Sequence, residues 1–267
     1  MSTIIETAKK LLKNDEVKIV IGYGEGSKGR VRPFFARNEE ETKKLIYDNR
    51  CTQNLAMYVY KKEVAQARKL AIVANIHTLR GIIRLATEKQ VKDGDIIALC
   101  VNDKSEVTVC STFDEIEKYL TTVMPQISEE DKAMIEKLDA MSSAERWQFW
   151  QKEMENCIKC YACRQACPLC YCTQCAVEIN RPQWIPVEAS TAGNLEWHIM
   201  RAMHLSGRCI SCGQCGDACP VGIPIHLLPM KLAQEVESIY GTVTGMNRNE
   251  GNAMSTYQPN DKENFIG

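Results

Sequence analysis

The first half of the chain alternates short apolar runs with stretches whose apolar residues recur at helical spacing. This alternation is typical of a domain in which helices pack on a sheet. Apolar runs of strand length occur at Val17–Gly22, Ala56–Tyr60, Lys69–Ala74, Asp95–Val101 and Glu106–Cys110. Helical spacing predicts helices over Ile4–Leu12, Glu39–Tyr47, Thr78–Gln90 and Phe113–Leu120. Because strand, crossover helix and strand follow one another, residues 1–124 are predicted to form an α/β domain with a mainly parallel sheet.

The pattern changes after residue 124. Pro125 and a charged stretch interrupt the alternation, so residues 125–141 are predicted to be a linker. Ser142, with Glu145 three residues later, has the spacing of a capping box and predicts a helix through Glu155. That helix ends just before the first cysteine motif.

Two copies of one cysteine motif dominate the second half of the chain. Each copy has the spacing C-x-x-C-x-x-C-x-x-x-C-P of bacterial two-cluster ferredoxins, in which three neighbouring thiolates hold one cluster and the fourth reaches the other cluster. Zinc is the main rival, but zinc sites usually pair two C-x-x-C hooks around a tetrahedral ion, whereas here three cysteines at C-x-x-C spacing follow in succession before a fourth. The predicted 4Fe-4S ligands are Cys157, Cys160, Cys163 and Cys219 for cluster 1, and Cys209, Cys212, Cys215 and Cys167 for cluster 2.

The motif copies define the second predicted domain. Residues 142–240 are expected to form an α+β, ferredoxin-like domain that holds two 4Fe-4S clusters and carries an insertion over 168–208. Residues 241–267 are rich in glycine, asparagine and charge, and are predicted to be a tail that orders against a partner subunit.

The insertion carries a further cysteine cluster, Cys170, Cys172 and Cys175, which ordinary two-cluster ferredoxins lack. Three thiolates so close together can supply most of a metal site and need one distant ligand. The candidates for that ligand are Cys51, His77, Cys100 and Cys110. A third iron-sulfur cluster is the first interpretation. Zinc and a packing role in the insertion are the alternatives.

Three glycines, Gly24, Gly26 and Gly29, form a G-x-G-x-x-G motif directly after a predicted strand. In a dinucleotide site, a helix follows such a loop. Here Arg30–Phe35 has an extended pattern, and Pro33 would interrupt a helix in its first turns. A glycine-rich connection between strands is therefore the preferred interpretation.

Composition excludes several classes of function. The formal net charge of −1 and the lack of a long basic run give no indication of nucleic-acid binding. No apolar stretch has the length of a membrane span, and residues 1–16 do not resemble a signal segment. We therefore expect a soluble, cytoplasmic protein whose thiols are reduced or bound to metal.

Three long segments carry a resemblance to a known family: Cys157–Cys172, Arg181–Ile185 and Trp197–Cys209. They resemble the dicluster iron-sulfur subunits of flavin-based electron-bifurcating oxidoreductases, relatives of the beta subunits of deazaflavin-reducing hydrogenases and formate dehydrogenases. Shorter similarities at Val20–Tyr23, Asn49–Cys51 and Asn54–Leu55 extend the resemblance over most of the chain. It implies partners within a redox complex: a flavoprotein subunit and a second redox module, with ferredoxin as a further candidate.

One position departs from that family. The family has a Gly-Cys-Asp step where this chain has Ile76, His77 and Thr78. If the family cysteine is a ligand, His77 could replace it as a nitrogen donor. A capping or surface histidine is the simpler interpretation.

The predicted function is electron transfer within a multisubunit oxidoreductase, with no bond-making chemistry in this chain. Arg164, Arg201 and Arg208 flank the cysteine motifs and could stabilise reduced clusters, dock an acidic carrier, or form ordinary surface ion pairs. One alternative is a flavin-containing subunit acting directly on a hydride carrier, although no convincing phosphate loop supports bound flavin. Another is a scaffold whose clusters only stabilise the fold.

Overall fold

The computed structural model describes residues 3–67, 69–102, 106–178, 182 and 185–250. A five-stranded sheet occupies the first half, with the strand order β2-β1-β3-β4-β5. The strands are β1 (Ile19–Glu25), β2 (Val31–Ala36), β3 (Leu70–Ala74), β4 (Ile96–Val101) and β5 (Val107–Cys110). Strands β1, β3 and β4 are buried along almost their whole length, which is typical of strands covered on both faces.

The sheet is mixed, so the prediction of a mainly parallel sheet is only partly right. Its three central strands are parallel, with Ile21 beside Ile72 and Ile72 beside Ala98. Both edge strands are antiparallel to their neighbours. They follow short connections, whereas a parallel neighbour requires a long crossover.

The glycine-rich motif lies in the connection between β1 and β2. A single 3-10 turn, Ser27–Gly29, reverses the chain, with Lys28 at φ 55° and Gly29 at φ 70°. The amide of Gly26 donates to the carbonyl of Arg30 at 2.7 Å. No helix follows, and the prediction of a strand connection is confirmed.

Four of the five predicted helices form, whereas the fifth helix and one predicted strand do not. Ala56–Tyr60 is not a strand: the Asn54 side chain accepts from the amide of Ala56 and starts a 3-10 turn, Leu55–Tyr58. The predicted helix Glu39–Tyr47 is reduced to the 3-10 turn Glu41–Lys44. The helices are α1 (Ile4–Lys13), α2 (Lys62–Ala65), α3 (Ile76–Thr87), α4 (Phe113–Leu120), α5 (Glu129–Ala140), α6 (Ser143–Glu155), α7 (Ala162–Gln165), α8 (Thr191–His204), α9 (Gln214–Asp217) and α10 (Leu227–Tyr240).

The segment predicted as a linker, 125–141, contains helix α5. Its buried residues Ile135 and Leu138 pack with Leu227 and Met230 of α10 in one apolar cluster. The charged stretch is therefore the exposed face of a helix that lies against the second half of the chain. Helix α6 begins at the predicted capping box, where Ser142 and Glu145 exchange hydrogen bonds.

The apolar core of the α/β half continues into the second half through Leu169, Leu205 and Ile210. The start of the predicted tail joins the two halves as well, because Arg80 of α3 donates to the Thr244 carbonyl at 2.8 Å. Arg248 forms ion pairs with Glu117 and Asp114 of α4. Residues 241–250 are thus packed on this chain's own α/β half, and 251–267 lie outside the described residues.

Within the described ranges, we find no helix whose length and apolar character would allow it to cross a membrane.

Candidate iron-sulfur centre

Four predicted ligands line one cavity in the second half of the chain, which we call cavity 1. They are Cys157, Cys160 and Cys163 of the first motif and Cys219 of the second. The remaining wall is mostly apolar and aromatic, and includes Trp197, Ile223 and Ile225. These are the four cysteines that the crossed ligand assignment brings together.

The other four predicted ligands line cavity 2, which faces the α/β half. They are Cys209, Cys212 and Cys215 of the second motif and Cys167 of the first. Leu169, Leu205 and Ile210, the residues that join the two halves, line the same cavity. Each cavity therefore combines three thiols of one motif with the last thiol of the other.

The two motif loops repeat one backbone conformation. Lys159 and Ser211 occupy equivalent positions and have φ of 54° and 56°, and Tyr161 and Gly213 are equivalent at 59° and 74°. These left-handed residues turn backbone amides towards the sulfurs. The amide of Ser211 donates to Sγ of Cys209 at 3.4 Å. Amide donors of this kind stabilise the negative charge of a thiolate-bound cluster.

Helix α8 supplies the polar part of cavity 1. Nε2 of His198 lies 3.5 Å from Sγ of Cys157. Asn194, one turn earlier on α8, donates to the Cys157 carbonyl at 2.8 Å and anchors the start of the first motif loop. Burial lowers the pKa of His198 to about 3, so this imidazole is neutral at pH 7. With a cluster bound, Cys157 would be a thiolate, which can only accept, and the imidazole proton would then lie on Nε2.

A buried cation lies among the ligands of both cavities. Arg201, also on α8, is almost fully buried and donates to the Cys163 carbonyl at 3.0 Å. Burial opposes its charge, but the negative charge that Cys170, Cys167 and Cys215 carry as thiolates outweighs burial and raises its pKa. Its Nε has no hydrogen-bond partner within the described part of the chain. An anionic cluster on either side would compensate this cation.

Burial keeps three of the predicted ligand thiols in the protonated form when no metal is bound. Burial raises the pKa of Cys163 to about 11 and that of Cys212 to about 11, and it also raises the pKa of Cys215. Asn54, a buried residue of the α/β half, donates to the Cys212 sulfur and opposes this shift. Iron must displace the thiol protons, and amide donors reduce that cost.

The extra thiols Cys170, Cys172 and Cys175 share a third cavity, cavity 3, on the far side of Arg201. None of their predicted partners lines it. His204, at the end of α8, does, and so do Arg164, Arg201 and Arg208. Over the described ranges, no group of three or more His, Cys, Asp or Glu side chains has the spacing to hold a single metal ion.

The predicted fourth ligands lie elsewhere. Cys100 and Cys110 face each other across β4 and β5 in the core of the sheet, with their sulfurs 3.5 Å apart. Cys51 and His77 line a crevice beside Cys212 of cavity 2. The structure therefore separates all four from the extra thiols. The roles of Asn54, Asn194, His198 and His204 were missed from sequence, although helical spacing along 194–204 could have indicated that one face of α8 meets the motifs.

Comparison with known proteins agrees with this geometry. Residues 156–224 match the family of 4Fe-4S dicluster domains, so this part of the chain is an iron-sulfur, electron-transfer domain. The F420-dependent formate dehydrogenase subunit beta of Methanocaldococcus jannaschii is 37% identical over 98 residues, 36% of this chain and 25% of that relative. The F420-dependent formate dehydrogenase 1 subunit beta of Methanococcus maripaludis is 50% identical over 28 residues, 10% of this chain and 7% of the relative.

The chain therefore aligns with no more than about a quarter of the length of these curated relatives. The resemblance to formate dehydrogenase beta subunits is confirmed, as is the prediction of a 4Fe-4S dicluster domain.

Proposed function

We propose that this chain is an iron-sulfur subunit that relays electrons within a cytoplasmic, multisubunit oxidoreductase related to formate dehydrogenases. The observation that supports this most directly is the pair of adjoining cavities, each lined by four thiols with crossed membership. Crossed ligands require two clusters to lie close together, and clusters of this kind accept and release single electrons. On this proposal, Cys157, Cys160, Cys163 and Cys219 hold cluster 1, and Cys209, Cys212, Cys215 and Cys167 hold cluster 2.

The chain's own residues set the conditions for that relay. The apolar walls exclude water, and amide, His198 and Asn54 donors direct partial positive charge at the sulfurs. Arg201 compensates negative charge on both sides. The donors and Arg201 favour the reduced, more negative state, whereas the apolar walls oppose it, and the balance sets the cluster potentials.

The same proposal includes the partner subunits and the kind of metabolism in which the complex works. From the sequence resemblance, we propose one flavin/NAD(P)H- or ferredoxin-linked partner subunit and a second redox module as the other partner. The relatives are named as beta subunits of formate dehydrogenases, which supports the presence of further subunits. Electron bifurcation in anaerobic metabolism is supported by the sequence resemblance of Cys157–Cys172 and Trp197–Cys209.

We also propose a third metal centre at Cys170, Cys172 and Cys175, with His204 as the fourth donor. These four residues line cavity 3, and buried Arg201 borders it. About twelve iron atoms per chain would support a third cluster, about eight would leave two clusters only, and stoichiometric zinc would identify a zinc site. The variant Cys175→Ser should lower only the additional metal.

The relay is tested by removing one ligand from each cluster. Cys163→Ser and Cys215→Ser should each lose a cluster and stop electron transfer through the purified complex, while the partner's flavin subunit still reduces an artificial dye. Cys110→Ser is the matched control, because Cys110 is a buried thiol that lines neither cluster cavity. Physiological electron transfer that persists in both ligand variants would contradict the proposal.

A second candidate function has one observation in its favour. The crevice that contains Cys51 and His77 also holds Asn75 and Asn102, which follow β3 and β4 directly, and it reaches Cys212. Ligands of α/β proteins bind at the carboxyl ends of parallel strands, so a flavin there could exchange electrons with cluster 2. Flavin that copurifies in a stoichiometric amount with this chain alone would favour a flavin-containing subunit.

A further inference from the structure

The two motif copies correspond residue for residue, including two apolar positions that are not ligands. Ile158 in the first copy corresponds to Ile210 in the second, since each follows the first cysteine. Leu169 corresponds to Val221, since each follows the cysteine-proline step. Because the ligands cross, Ile158 and Val221 both line cavity 1, and Ile210 and Leu169 both line cavity 2.

These equivalent residues differ sharply in exposure. Ile210 and Leu169 are 1% and 2% exposed, because the α/β half packs over them and includes them in its core. Ile158 and Val221 are 60% and 42% exposed. The ligand between them, Cys160, is also exposed. Within the described residues, cavity 1 thus has no counterpart of the α/β half that covers cavity 2.

Exposing apolar side chains to water around a cluster ligand is energetically unfavourable. Neighbouring exposed apolar residues mark interaction sites when they form one patch. Here the patch surrounds the point where cluster 1 comes nearest to solvent, so whatever covers it also has the shortest access to that cluster. A small contact is sufficient, because electron-transfer interfaces are among the smallest specific ones.

We propose that Ile158 and Val221, together with exposed Cys160, form a docking face for a redox subunit of the same complex. The partner would present an apolar surface beside its own redox cofactor, and electrons would enter or leave the chain through cluster 1. This inference rests on the proposed function. Beyond that function, it specifies the cluster through which electrons pass, the surface that the partner contacts and the apolar character of the contact.

The test uses the tagged full chain, purified anaerobically with its complex from its native host. Ile158→Glu and Val221→Glu are compared with Ile239→Glu and Val109→Glu, whose parent side chains have the same exposures of 60% and 42% but line neither cluster cavity. We expect the first two variants to weaken retention of the redox subunit roughly tenfold, since charge at the centre of a contact is costly, and the controls to retain it. Iron counts and spectra of the dithionite-reduced clusters identify the variants that still hold cluster 1, and retention is compared only among those.

A glutamate variant that loses cluster 1 cannot report on docking, so a second measurement leaves the surface apolar. Benzoylphenylalanine at position 158 keeps the surface apolar and should form a photocrosslink to a cofactor-bearing subunit, whereas the same residue at position 239 should not. An intact complex that crosslinks only from position 239, or a crosslink from position 158 to a second copy of this chain, would overturn the docking face and leave the proposed function standing. A tagged chain recovered without any redox subunit would overturn both.

Discussion

Replacing His198 with phenylalanine should lower the potential of cluster 1. In the structure, Nε2 of His198 lies 3.5 Å from Sγ of Cys157, and the ring packs edge-on against Trp197 with centroids 4.8 Å apart. Phenylalanine preserves a ring of similar shape but cannot donate a hydrogen bond. The substitution therefore removes one donor to a ligand sulfur with little change in packing.

The magnitude follows from the worth of one hydrogen bond. A bond of this kind contributes about 1 kcal/mol net, and it is stronger when its acceptor carries more negative charge. The reduced cluster carries one more electron than the oxidised cluster, so the donor favours reduction. About 1 kcal/mol corresponds to about 40 mV for a single electron. Only the difference in bond strength between the reduced and the oxidised cluster shifts the potential, so the full bond sets an upper limit. We therefore expect His198→Phe to lower the cluster 1 potential by at most about 40 mV.

The assay is a redox titration followed by electron paramagnetic resonance on the anaerobic chain, with iron counted in each variant. His198→Gln keeps an N–H donor and should restore part of the potential. Asn54→Leu removes the corresponding donor from Cys212 and should lower the potential of cluster 2 instead. A cluster 1 potential that stays unchanged or rises in His198→Phe, with full iron content, would refute this account of the His198 contact.

Three further predictions follow from the same site. Arg201→Met should lower the potentials of both clusters by tens of millivolts or more, because one buried cation faces ligands of both cavities; a shift confined to one cluster in the same titration would contradict this. Cys100→Ala and Cys110→Ala should leave the iron count unchanged, because these thiols lie in the sheet core away from Cys170. Loss of iron in either variant would show that the replaced cysteine is a metal ligand after all. Burial raises the pKa of Cys163 and Cys212 to about 11, so thiols must lose protons to bind iron, and cluster assembly on the iron-free chain should become more complete as pH rises. Ultraviolet-visible spectra of reconstitutions at about pH 6.5 and about pH 8.5 would check that direction.

The sequence was informative wherever chemistry depends on local spacing. The C-x-x-C-x-x-C-x-x-x-C-P runs predicted the dicluster domain, because three cluster ligands must converge from one short loop. The capping box at Ser142 predicted the start of α6, because both of its hydrogen bonds form within one helical turn. Likewise, Pro33 excluded a helix after the glycine-rich motif without any tertiary information.

The sequence misled where the outcome depended on neighbouring elements. Ala56–Tyr60 has the composition of a strand, but Asn54 caps a 3-10 turn there and the sheet continues from β1 directly to β3. The charged stretch before α6 looked like a linker because helix α5 has only a narrow apolar face, whose partner is α10. None of the four predicted candidates for a fourth ligand, three cysteines and His77, lines the cavity of the extra thiols, whereas His204 at the end of α8 does.

The sequence alone thus predicts which cysteines hold the clusters, and the environment of each group of cysteines was decided by the tertiary structure. Ile158 and Ile210 show the difference most clearly, since they have the same residue type and the same place in identical motifs. One is exposed and the other is buried. The physical reason is that the α/β half has an apolar surface for only one of two nearly equivalent sites, and long-range packing of this kind leaves no trace in local spacing.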